Sequence, residues 1–164
     1  MDLASDPEKG KQIITCDKVL LRPPETWQPP SSGWVKLNSD GSFSDEGSAG
    51  AGMVLRDING NIIFSACRVL FSCRDALEAE LCACMEGLSF SLQRSNCPIS
   101  IEMDSIVAVK LVQSKEVDRS MYSSIVSEIR YLLSLHESCV THISRSQNRV
   151  SDSLAIFACT KGEP

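Results

Sequence analysis

Apolar and polar positions alternate with a period of two early in the chain and settle into helical spacing later. From Trp34 to Phe43, the apolar Trp34, Val35 and Leu37 give way to polar Asn38 and Asp40, which predicts a first strand. Gly47 to Arg56 (GSAGAGMVLR) predicts a second strand, and Asn61 to Phe71 a third. Asp57-Ile58-Asn59-Gly60 between them is a hairpin signal, with Asn-Gly supplying the positive φ angles of a tight turn. The small residues of GSAGAG suit a close backbone approach or a bulge.

Helical spacing begins at Asp75, an N-cap residue with Glu78 three places on to complete a capping box. Leu77, Leu81, Cys84, Leu88 and Leu92 then form an apolar stripe. Pro98 to Met103 predicts a short buried strand, and Ile106, Val109 and Val112 a helix after it. Tyr122, Ile125, Val126, Ile129, Leu132 and Leu133 mark an amphipathic helix, and Cys139 to Ser144 a last strand. A final helix starts near Asn148, a good N-cap, and carries Leu154, Ala155 and Ala158. The order βββ, α, β, α, α, β, α predicts an α/β fold: a five-stranded mixed sheet flanked by helices on both faces.

The run RPPETWQPPSSG cannot hold a helix or an inner strand, so residues 1–32 read as a Pro-rich tail or linker and 33–162 as the domain. Trp27 within that run and Trp34 just after it are expected to cover apolar surface at the domain edge. Hydrophobic residues make up 43% of 164, enough for one substantial core. The net charge of −5 argues against a strongly basic nucleic-acid binder. It leaves room for nucleic-acid processing at a metal-loaded site, where the ions supply the positive charge. None of the eight cysteines forms a CxxC pair, so a zinc site reads poorly, and they are expected as reduced thiols of a cytoplasmic or nuclear protein. MDLASDPEKGKQ is neither a signal peptide nor an Arg-rich transit peptide, and no apolar run is long enough to span a membrane.

Four carboxylates stand out by context: Asp40 in WVKLNSDGSF, Glu80 in DALEAELCACMEGL, Asp104 in CPISIEMDS and Asp152 in QNRVSDSLAIFA. Three of them have an ordinary explanation. Asp40-Gly41 resembles a turn, although Ser42-Phe43 continues the strand pattern. Asp104 has the place of a simple N-cap, and Asp152 gains from a helix dipole. Glu78 has its capping role; Glu80, at the margin of the apolar stripe, has none. Gathered at one sheet edge, four carboxylates repel one another unless divalent cations neutralise them. Hard oxygen ligands suit Mg²⁺ or Mn²⁺, and two such ions are the usual machinery of in-line phosphodiester cleavage.

The order SDGS, AEL, EMDS, NRVSDSLA resembles the ribonuclease H fold. The stretch from WQPPSSGWVKLNSDGSF to NRVSDSLAIFA, about residues 27–160, is similar to plant RNase H-like domains related to reverse transcriptases. The resemblance implies that Asp40, Glu80, Asp104 and Asp152 are both catalytic and metal-binding and hold two Mg²⁺ (or Mn²⁺) ions. Asp40 would bridge the ions, Glu80 and Asp104 would hold the one that activates water, and Asp152 the one beside the leaving 3′ oxygen. The implied reaction is hydrolysis of the RNA strand of an RNA–DNA hybrid by a monomer, with Gly41, Ser42 and Arg145 contacting substrate. Many relatives carry a histidine in the loop before the last carboxylate, and Arg145 occupies that place here. Arginine cannot act as a base, so Arg145 would touch phosphate or promote release, or else be a solvated loop cation. His142 is expected as a packing or hydrogen-bonded edge residue, and His136 at the end of the amphipathic helix.

Some features depart from the family pattern. Ile106, Ala76 and Leu77 offer no polar group to the groove, and only Lys110, Lys115 and Arg119 stand where some relatives carry a basic helix. These losses predict weak, salt-sensitive binding. They also support a second reading: an inactive nucleic-acid-binding or interaction module derived from a retroelement.

Overall fold

The computed structural model describes residues 25–162; Cys16 and the rest of the tail before residue 25 lie outside the described residues. One sheet carries the strands β1 (Val35–Phe43), β2 (Ala49–Arg56), β3 (Ile62–Leu70), β4 (Ile99–Met103) and β5 (Ser138–His142) in the order β3-β2-β1-β4-β5. β1, β2 and β3 pair antiparallel, while β4 and β5 join β1 in parallel, so the sheet is mixed as expected. α1 (Ala76–Arg94) lies on one face, with α2 (Ile106–Gln113) and α3 (Ser123–Ser134) packed beside it. α4 (Arg149–Lys161) covers the other face over β1, β2 and β3. This is the α/β arrangement expected from the sequence, with five strands and four helices.

Alternation assigns the faces. Leu37, Met53, Leu55, Ile101 and Met103 join Leu81, Cys84 and Leu88 of α1 in the buried core. The opposite face of β2 carries Gly50 and Gly52. A Cβ on Gly52 would run into the carbonyl oxygen of Ser151, and one on Gly50 into that of Ala155. The small residues of GSAGAG are therefore the bed on which the backbone of α4 lies, the close approach that the sequence suggested.

Local signals were partly redirected. In the β2–β3 hairpin only Gly60 has positive φ, at 81°. The Asp57 carboxylate accepts the amides of Asn59 and Asn61, both at 2.9 Å, so one left-handed residue serves where two were expected. Asp75 caps α1 by accepting the Glu78 amide at 2.8 Å. Glu78 returns its carboxylate to the Arg74 amide (2.7 Å) and guanidinium rather than to Asp75, because an ionised partner outbids a bare amide. Ser105, not Asp104, caps α2. At the domain edge, the Trp27 indole lies 4.8 Å from the Arg56 guanidinium and donates to Asn38 at 2.9 Å.

Filling the gap under α4 is the direct test of this packing. Gly52→Ala should lower the unfolding free energy by about 1–3 kcal/mol in a urea melt. Ser153→Ala, on the exposed side of α4, should change it by less than about 0.5 kcal/mol. A Gly52→Ala chain as stable as the wild type would show that α4 does not need the gap.

Candidate metal centre

Strand register builds the centre. Asp40 pairs with Gly52 and Asn38 with Val54, so the even positions of β1 share the face of Gly52, towards α4. β4 runs parallel to β1 with Asn38 opposite Glu102, which brings Asp104, just past the strand end, to the level of Asp40. Glu80 arrives from α1. A Cβ on Gly41 would overlap the backbone of Ala79 and Glu80, so the glycine of the SDG motif admits the helix rather than forming a turn. Because Ser105 caps α2, the Asp104 side chain is left free of capping.

One carboxylate oxygen from each of Asp40, Glu80 and Asp104 lies within 4.8 Å of the other two. Asp152 lines the same cleft of about 480 Å³, and Arg145 reaches it at 3.4 Å. Gly41 and Ser42 line the cleft as well. Asp40 is 4% exposed. Burial holds its carboxyl far above the ordinary range, and the charges of Glu80, Asp104 and Asp152 push in the same direction. Glu80 is also raised, chiefly by burial and then by Asp104. Its Oε2 is buried without a hydrogen-bond partner.

These residues fit a divalent metal. The donors are hard oxygens, one of them is orphaned, and no Lys or Arg among the described residues pairs with Asp40, Glu80 or Asp104. The trio can hold one ion. His142 hydrogen-bonds the Asp104 carbonyl oxygen through Nε2 at 3.1 Å, the edge role expected of it.

Beneath the carboxylates lies a second polar layer that the sequence reading passed over. The Asn38 amide donates to Glu102 (3.0 Å) and to Asn148 (3.2 Å), and Lys36 pairs with Glu102 at 2.6 Å. Asn148 begins α4, yet its side chain caps nothing: Nδ2 donates to the Ser39 carbonyl at 2.9 Å, and Oδ1 accepts from Ser151 at 2.8 Å. The signal was available in Lys36, Asn38 and Asp40, polar at every second position of a strand covered on both faces.

Residues 38–158 match the reverse transcriptase-like family. An Arabidopsis thaliana protein carrying a provisional name as a ribonuclease H protein is 33% identical over 134 residues, 80% of this chain. The chain spans 22% of that relative's length. RNase H1 from the archaeon Halobacterium salinarum shares the fold with a TM-score of 0.72 at 23% identity, over 79% of this chain and 99% of that one. LC11-RNase H1, isolated from compost and solved in complex with an RNA/DNA hybrid, gives 0.69 at 21% identity, over 77% and 97%. At these identities the structural likeness speaks for the fold.

The raised carboxyls make stability depend on pH and on metal. As the pH rises above about 4, the unfolded chain releases these protons before the folded one does. Metal-free stability is therefore fully present below the ordinary carboxylate pKa and is lost as the pH climbs through the raised folded values. The metal-free melting temperature should fall between about pH 5 and about pH 8, and Asp40→Asn should flatten that fall. Millimolar Mg²⁺ should raise the wild-type melting temperature by several degrees, more at the higher pH, and leave Asp40→Asn nearly unmoved. Equal responses of the two proteins to Mg²⁺ would count against a metal at Asp40.

Proposed function

The chain belongs to the reverse transcriptase-like family, and on that premise we propose that it is a metal-dependent endoribonuclease that hydrolyses the RNA strand of RNA–DNA hybrids. One observation carries the reading: three carboxylates converge within 4.8 Å, uncompensated by any described cation, in a cleft that also holds Asp152 and Arg145. The hybrid seen with LC11-RNase H1 supports the substrate class.

Asp40, Glu80, Asp104 and Asp152 would hold Mg²⁺ or Mn²⁺. When bound, two such ions would lower the pKa of water and offset charge on the leaving oxygen. The chain's own residues set the rest. Asp40 and Glu80 must be ionised to ligate, which their raised pKa values oppose until cations arrive. Gly41 and Ser42 offer backbone and a hydroxyl along the cleft, suited to contacting a sugar–phosphate chain. Arg145 is 77% exposed at its side chain and held only loosely to Asp152, so it can leave the carboxylate for a phosphate without acting as a base.

A second reading, a nucleic-acid-binding module without cleavage, draws on Ile106, exposed where a polar groove contact would be useful, and on Ala76 lining the cleft.

Cleavage of an end-labelled RNA–DNA hybrid separates the two. With Mg²⁺ or Mn²⁺ the wild type should cut the RNA strand, leaving 5′-phosphate and 3′-hydroxyl ends. Asp104→Asn should be slower by at least about a hundredfold while keeping its circular-dichroism spectrum. A folded wild type that binds the hybrid but cuts with neither metal would establish the second reading.

A further inference from the structure

We propose that the segment at 25–33 is a strap that holds the turn before α4 in place, and that Trp27 is a positioning residue for Arg145 and Asp152. The kinetic part of this proposal rests on the nuclease reading; the structural part does not.

The turn Arg145–Gln147 is a short 3₁₀ helix, and the Arg145 side chain on its first position bonds only Asp152 among the described residues. Its placement depends on what pins the residues after it. The strap pins two of them directly: Ser146 Oγ donates to the Glu25 carbonyl at 2.7 Å, and Gln147 Nε2 to the Thr26 carbonyl at 3.3 Å. It pins a third through the sheet. Trp27 Nε1 donates to Asn38 Oδ1, which leaves the Asn38 amide free to donate to Glu102 and Asn148. Without the indole N–H, the Asn38 carbonyl is unpaired in a buried layer and nothing fixes the orientation of its amide. Asn148 in turn accepts the Asp152 amide through its carbonyl at 3.0 Å, so its position sets that of the last carboxylate.

The strap also closes the layer against water. Lys36 and Glu102 are both nearly buried, and such a pair is tolerable only with its remaining donors satisfied. Lys36 Nζ donates to the Gln28 carbonyl at 2.7 Å, and the Trp27 ring lies 5.7 Å from the ammonium and 4.8 Å from the Arg56 guanidinium. The indole is thus a cap with one polar handle, wedged between two cations over the layer on which Asp40 stands. A tail that merely led into the domain would have no need of these bonds.

The test compares the full-length wild type, Trp27→Phe and Trp27→Ala. Amide hydrogen exchange followed by mass spectrometry should show residues 145–152 exchanging about fivefold to tenfold faster in Trp27→Ala, with β4 unchanged and Trp27→Phe in between. In hybrid cleavage, Trp27→Ala should lower kcat about tenfold with little change in KM, because chemistry and release are disturbed more than initial binding. Exchange that stays unchanged at 145–152, or that rises equally in β4, would overturn the strap. Local loosening with unaltered kcat in an active enzyme would overturn the positioning role. If the wild type cuts nothing, local loosening still upholds the strap, and it is the nuclease reading that fails.

Discussion

Backbone contact at one level of the sheet is the constraint on which the rest of this molecule depends. Asp40 pairs with Gly52, Gly41 with Ala51 and Ser42 with Gly50. At that level α1 leans on Gly41 from one face and α4 on Gly50 and Gly52 from the other. Side chains would hold the helices several ångströms further out. Their absence lets Glu80 reach Asp40 from α1 and brings Asp152 to the wall of the same cleft from α4. Three small residues on two adjacent strands thus convert a layered α/β fold into a convergence of carboxylates from four elements.

Electrostatics divides the same sheet face into two layers with opposite logic. In the lower layer the polar groups are answered: Lys36 by Glu102 and the Gln28 carbonyl, Asn38 by Trp27, Glu102 and Asn148. In the upper layer Asp40, Glu80 and Asp104 face one another with no described cation between them, and one Glu80 oxygen has no partner. Such an imbalance opposes folding and persists where function requires it. The neutral, fully bonded layer underneath is what makes it bearable: it keeps the strand ends rigid while the carboxylates repel. The exposed Arg145 contributes a positive charge to the cleft lining, tied to Asp152 by a single long contact.

Reading polar positions in pairs along a strand carries further than reading motifs singly. Asp40, Glu80, Asp104 and Asp152 were each ambiguous alone, since a turn, a helix margin, an N-cap and a helix dipole explain them as well. Ser105 taking over the cap of α2, and Gly41 serving helix approach rather than a turn, remove two of those explanations. Lys36 and Asn38, four and two residues before Asp40, carry the same signal, because a buried strand polar at alternate positions must have partners somewhere.

The sequence by itself determined the element order, the mixed sheet, the close approach at GSAGAG and the identity of the carboxylates that share the cleft. These follow from periodicity, glycine spacing and family motifs, all of which are local in the chain. Only the tertiary structure decided that Asp152 pairs with Arg145, that Asn148 gives up capping to bridge β1 and α4, and that the Trp27 ring lies over Arg56 while its N–H reaches Asn38. Each of those outcomes is a competition among hydrogen-bond partners far apart in sequence. A polar side chain's choice among them is set by which ones the packed backbone brings within about 3 Å, a distance no local pattern encodes.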